Sequence, residues 1–173
     1  DLGYDDVMDD SVLTNMISEI IELHIGFMEI NDLTGIEDFA SLKILYCGGN
    51  QLSNIDISNN LNLETIGLYD NQLTNIDISN NDSLITLELQ NNELTSVDLS
   101  NNSFLEYIDI ENNQIDSLNI SNNSVLKMLN ASGNQISYLD VSYNLELDHL
   151  DLEQNQIQVI DLSSNTSLRH LEL

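Results

Sequence analysis

Carboxylates are the reactive side chains this chain offers in number, and they recur in register. Asp56, Asp77, Asp98, Asp140 and Asp161 are spaced by multiples of 21 residues, with Asn119 filling the gap. A row of such oxygens can take calcium, or each can accept a backbone N–H within its own turn. His149 and His170 stand 21 residues apart, each followed two residues later by an acid, Asp151 or Glu172. Imidazole and carboxylate are zinc donors, although two exposed histidines in a repeat also arise with no ligand role. Asp5, Asp6, Asp9 and Asp10 are dense enough for calcium, but the Asp-x-Asp-x-Asp-Gly spacing of a helix–loop–helix site is absent. Carboxylate pairs also serve glycoside hydrolysis. That chemistry needs a desolvated pocket to raise one pKa, which repeated acids on a shallow surface do not provide. No Ser-His-Asp order, nucleophile elbow, glycine-rich phosphate loop or HExxH is present. The expectation is a protein that is not an enzyme and has no cofactor, with calcium as the open alternative.

Charge narrows the partners. Thirty acids face only Lys43, Lys127 and Arg169, for a net charge of −27 over 173 residues. Three scattered bases cannot displace counterions from phosphates, so nucleic acid is excluded. An anionic membrane surface would repel the chain, and no apolar run approaches the roughly 20 residues of a spanning helix. Cationic proteins, metal ions and neutral ligands remain. The single cysteine, Cys47, rules out an internal disulfide. In place of a core leucine, it reads as a buried, inert thiol. With 41% hydrophobic residues, the chain can still form a core.

The elements that must carry these side chains come from a repeat. Leucine recurs at 42, 63, 84, 105, 126, 147 and 168. One asparagine column runs Asn50, Asn71, Asn92, Asn113, Asn134, Asn155, and a second runs Asn60, Asn81, Asn102, Asn123, Asn144, Asn165. Such a period means a solenoid whose units pack on their neighbours. Within each unit a triplet such as Leu45-Tyr46-Cys47 alternates inward and outward, the period of a strand. Eight strands are expected, starting near Leu23, Leu45, Ile66, Leu87, Ile108, Leu129, Leu150 and Leu171. Stacked about 4.8 Å apart, they would make a parallel sheet. A second half-unit, such as Ile55-x-Ile57, suggests another short extended segment. No helix pattern fits between, so the convex side should be thin and strand-like or irregular. The asparagines would form structural ladders, because each amide has two donors and two acceptor lone pairs for buried turn backbone. The first repeat, counted from Leu23, has 22 residues, later ones 21, and the last is truncated. Residues 1–22 read as an N-terminal cap remnant and 23–173 as the array.

The pattern LxxLxLxxNxLxxLDLSxNxx is identified as the leucine-rich repeat signature in its short bacterial form. The chain resembles the internalin-type proteins, in the 21-residue class where cysteine often replaces the second strand leucine. It is also similar to secreted leucine-rich repeat proteins of Bacteroidota, through Asp32 to Phe39 and the opening Asp1 to Asp6. Only Cys47 of the cysteine column is kept; Leu68, Leu89, Ile110, Ala131, Leu152 and Leu173 fill the rest. The resemblance implies a right-handed horseshoe or superhelix, with its parallel sheet on the concave face and a secreted or cell-surface role in adhesion or host contact. Asp-Ser-apolar triplets at Ser11, Ser83 and Ser117 are similar to an O-glycosylation motif of such secreted proteins.

The outward strand positions are the candidate binding surface. They hold Tyr46, Tyr69, Glu88, Tyr107, Asp109, Glu111, His149, Asp151, Glu153, His170 and Glu172. Tyrosine supplies rigid amphipathic contact area. A tyrosine-and-carboxylate face suits a cationic protein patch or a glycan. The competing reading is a structural spacer or accessory subunit of a larger bacterial surface complex.

Overall fold

The computed structural model describes residues 17–173. Asp5, Asp6, Asp9, Asp10, Ser11 and most of the expected cap over 1–22 lie outside the described residues.

Inward-pointing aliphatic side chains stack into columns and dictate the architecture. Eight three-residue strands form one parallel sheet in sequential order: β1 (Glu22–His24), β2 (Ile44–Tyr46), β3 (Thr65–Gly67), β4 (Thr86–Glu88), β5 (Tyr107–Asp109), β6 (Met128–Asn130), β7 (His149–Asp151) and β8 (His170–Glu172). Each strand pairs in register with the next, so Leu45 faces Ile66, Ile66 faces Leu87, and Leu87 faces Ile108. The middle residue of every strand from β2 to β7 is at most 1% exposed. Burying each such side chain contributes roughly 1.5–3 kcal/mol, so the aliphatic columns hold the coils together.

One detail differs from the sequence expectation. The strands begin one residue earlier, because pairing centres on the first inward residue of each triplet. The second inward residue already leads into a turn: Cys47 N–H still bonds Gly67 O at 2.8 Å, but Gly49 adopts φ 68°. The second half of each coil is irregular, one of the two forms expected for the thin convex side. It runs through turns such as Asn60 N–H to Ile57 O and Leu63 N–H to Asn60 O, with one short 3₁₀ turn at Ile36–Asp38. Residues that bond backward within their own coil cannot build a ladder to the next.

The asparagine columns are built into the frame in two ways. In the first, each amide bridges coils. Asn92 Oδ1 accepts Leu73 N–H at 2.9 Å, while Nδ2 donates to Leu68 O and Leu89 O at 3.0 Å each. Asn50, Asn71, Asn113, Asn134 and Asn155 also accept from one coil back. In the second, Asn102 Nδ2 donates to Ile78 O and Asn81 O. Its Oδ1, like that of Asn60, Asn81, Asn123, Asn144 and Asn165, is buried without a hydrogen-bond partner. The turn after each strand from β1 to β7 holds a left-handed residue: Phe27, Gly49, Asp70, Asn91, Asn112, Gly133, Gln154. Glycine, asparagine and aspartate tolerate that conformation; Phe27 and Gln154 are strained in it.

Candidate functional site

The strands present three outward columns on the open face of the sheet. Register aligns Thr86 with Tyr107, Met128 with His149, and His149 with His170. The next column runs Tyr46, Gly67, Glu88, Asp109, Asn130, Asp151, Glu172. The third, just past the strands, holds Gly48, Tyr69, Gln90, Glu111, Ser132 and Glu153. Every binding candidate named from the sequence therefore sits on this one face, although not in one cluster.

Two carboxylates meet at its centre. Glu88 and Asp109 are register partners on β4 and β5, both half-buried. Burial pushes the Glu88 carboxyl above its usual range, and the Asp109 charge adds to this. Burial also pushes Asp109 up, opposed by the Glu111 N–H that its Oδ1 accepts at 3.1 Å, with the Glu111 and Asp151 charges adding. Desolvation and like charge both disfavour the ionised form.

Among the described residues no lysine or arginine relieves them, because all three of the chain are engaged elsewhere. Lys43 Nζ lies 2.6 Å from Glu64 Oε1, Lys127 Nζ 2.6 Å from Glu106 Oε2, and Arg169 Nε 3.4 Å from Asp148 Oδ2. All six residues belong to a single column at the sheet edge, immediately before the strands. Nothing in the single-residue pattern singled out this ion-pair column; the 21-residue separation of Lys43 from Glu64, and of Glu106 from Lys127, is the signal that finds it.

At the far end of the face, His149 and His170 stack with ring centroids 5.0 Å apart. The acids converge beside them. Among the described residues, the one group of three potential donors within 4.8 Å of one another is Asp151, Glu153 and Glu172, and the histidines stand outside it. The outer aspartate column has turn-capping geometry. Asp56, Asp77, Asp98, Asp140 and Asp161 each accept the N–H of the serine two residues on, at 2.9–3.0 Å. Hydrogen bonds from those serines hold each carboxyl below its usual range. Asn119 makes the same bond to Ser121 at 3.0 Å, so the amide replaces the acid without loss of the cap.

Gly48 and Gly67 count as outward positions in the sequence pattern, yet both are buried. A Cβ on Gly48 would overlap the Tyr69 ring, and one on Gly67 would overlap the Tyr46 ring and come 3.3 Å from Glu88 Oε2. The tyrosines therefore lie across the glycines of neighbouring coils. Sequence reasoning missed this covering, because a strand pattern does not say which way an aromatic side chain leans. Ser83 is partly buried and its Oγ reaches Asp82 Oδ1 at 3.5 Å; Ser117 is exposed and its Oγ donates to Asp116 Oδ1 at 2.9 Å. Cys47 is fully buried, and burial pushes its thiol up to about 11.

A parallel sheet of three-residue strands, repeated at constant register and closed by asparagine turns, has solved counterparts. An internalin (inlF) from Listeria monocytogenes matches with a TM-score of 0.86 at 23% identity, over 92% of this chain and 49% of that one. A Leptospira interrogans LRR protein matches with a TM-score of 0.78 at 26% identity, over 83% of this chain and 40% of that one. The fold is a leucine-rich repeat solenoid. The functional domain of InlJ from Listeria monocytogenes, which includes a cysteine ladder, matches with a TM-score of 0.58 at 26% identity, over 92% of this chain and 45% of that one. In this leucine-rich repeat chain the corresponding column keeps only Cys47, so no cysteine ladder forms. The chain spans less than half the length of each of these three structures. No family model matches the sequence, and no curated protein matches it either. Among the described residues, no helix is long and apolar enough to cross a membrane.

Proposed function

We propose that this chain is a non-enzymatic recognition module that captures a partner with a positively charged surface on the open face of its sheet. The observation that carries the reading is the Glu88–Asp109 pair, two half-buried carboxyls held side by side with no cation beside them among the described residues. A face selected only for solubility gains nothing from desolvating like charges. A cationic partner removes that repulsion, whereas a neutral glycan leaves it in place. Complementary charge of this kind speeds encounter and rejects wrong partners. The likeness to internalins supports a binding module displayed on, or secreted from, a bacterial surface, where a net charge of −27 keeps the solenoid soluble.

The test is a matched pair of charge variants, read by fluorescence anisotropy with labelled basic decapeptides. One variant neutralises the face: Glu88→Gln, Asp109→Asn, Asp151→Asn and Glu172→Gln. The other removes the same number of charges elsewhere: Asp82→Asn, Glu93→Gln, Asp116→Asn and Glu146→Gln. The face variant should weaken binding by about tenfold or more and the control by less than about twofold. Equal losses would mean that total charge alone attracts the peptides, and the spacer reading would replace this one.

A further inference from the structure

The end of the face bounded by β2 and β5 has a shape that the acidic pair alone does not explain. Tyr69 lies over Gly48, and Tyr46 lies over Gly67 with the Glu88 carboxylate beside it. Both rings are half-buried. They are braced from outside: the His24 ring is 5.3 Å from Tyr46, and the Phe27 ring is 6.3 Å from Tyr69. Phe27 takes up its position in a left-handed conformation (φ 58°) while 72% exposed. That combination costs backbone energy and buries little in return. Upright tyrosines would leave the glycines bare; here the glycines let the rings lie down and show a flat aromatic surface next to carboxylate oxygens.

We infer that Tyr46 and Tyr69, laid across Gly67 and Gly48 with the Glu88 carboxylate beside Tyr46, form a seat for an arginine side chain of the partner. This rests on the proposed capture of a cationic partner and names the group that is read. A guanidinium is planar and weakly hydrated, so it stacks on an aromatic ring and still forks onto a carboxylate in its own plane. A lysine ammonium is a strongly hydrated point charge and cannot use the flat surface in the same way. The charge requirement agrees with the carboxyls themselves, since burial raises Glu88 and Asp109 and the Glu88 charge adds to the rise at the Tyr46 phenol. A sugar ring could lie on the tyrosines, but it would leave these acids uncompensated.

The experiment is an NMR titration of the full chain with acetyl-Gly-Arg-Gly-amide, its uncharged citrulline counterpart and its lysine counterpart. The arginine peptide should give saturable shifts at the Gly48 and Gly67 amides and at the Tyr46 and Tyr69 ring protons. The citrulline peptide should give none, and the lysine peptide should bind several-fold more weakly. Glu88→Gln should weaken the arginine response by about tenfold, with its unchanged amide spectrum elsewhere confirming the fold. Asp116→Asn, away from the face, should leave the response intact. Equal shifts from arginine and citrulline, or a lysine response as strong as arginine's, would overturn the seat. Basic decapeptides that shift only the Asp151 and Glu172 region would overturn the seat while sustaining capture by the face. Shifts nowhere on the face would remove both.

Discussion

The two asparagine columns make different predictions for the same substitution. Asn92→Ala removes three hydrogen bonds from a side chain 8% exposed. The two carbonyls it leaves are still served, Leu68 O by Asn71 Nδ2 and Leu89 O by Asn113 Nδ2. The Leu73 N–H loses the acceptor that Asn92 supplied. Stranding one buried donor costs about 1–3 kcal/mol, and each replaceable bond contributes up to about 1 more. The expected loss is about 3 kcal/mol, or about 6–12 °C in melting temperature for a chain of this size. Asn102→Ala removes two bonds, to Ile78 O and Asn81 O, which also accept Asn81 N–H and Leu84 N–H. It strands no donor and removes an oxygen that has no partner. Both substitutions open a similar cavity, so their difference isolates the hydrogen bonding: Asn92→Ala should be worse by about 2 kcal/mol. Urea unfolding followed by circular dichroism measures both. Equal losses, or a greater loss at Asn102, would refute this assignment of roles to the columns.

Three further outcomes follow from single features. Glu88 and Asp109 have folded pKa values raised above 4.5 and 3.8. Their contribution to stability is present below those unfolded values and lost as pH rises through the folded ones. The variant Glu88→Gln/Asp109→Asn should therefore match the wild type at about pH 3 and exceed it at about pH 7 in urea melts; a lower stability at neutral pH would contradict the raised values. Gln154 is exposed at φ 54°, so Gln154→Gly should raise stability by about 1 kcal/mol, and a loss would show that its strain is compensated by contacts of the side chain. Cys47 is fully buried with its thiol pushed up to about 11, so a thiol reagent at about pH 8 should label it only on unfolding; rapid labelling of the folded chain would disprove that burial.

The fold was legible because one period fixes everything inside the solenoid. Leucine at 42, 63 and 84 names the core, and Asn50, Asn71 and Asn92 name the turns. The strand starts were misplaced by one residue because buried Leu45 and Cys47 look equivalent in sequence, although the chain turns away after Tyr46. The echo at Ile55 and Ile57 marked a second extended segment on a strand-like or irregular convex side, and it is irregular because Asp56 and Asn60 take part in hydrogen bonds within their own turn. The site was legible as columns and not as chemistry. Spacing places Glu88 beside Asp109, but it does not say that both are half-buried. It also does not say that Tyr46 and Tyr69 lean onto glycines one coil away, since that depends on side-chain direction. The histidine pair was legible from its 21-residue separation, whereas the convergence of Asp151 and Glu172 with Glu153 needed the turn geometry.

The binding footprint tests the account most directly. Hydrogen–deuterium exchange of the chain, alone and saturated with an arginine-rich decapeptide, locates the contact surface without any substitution. Protection is expected in the segments containing Gly48, Gly67, Glu88 and Asp109, with none in the outer turns around Asn59, Asn80 and Asn101. Protection confined to those outer turns would contradict recognition through the open face of the sheet.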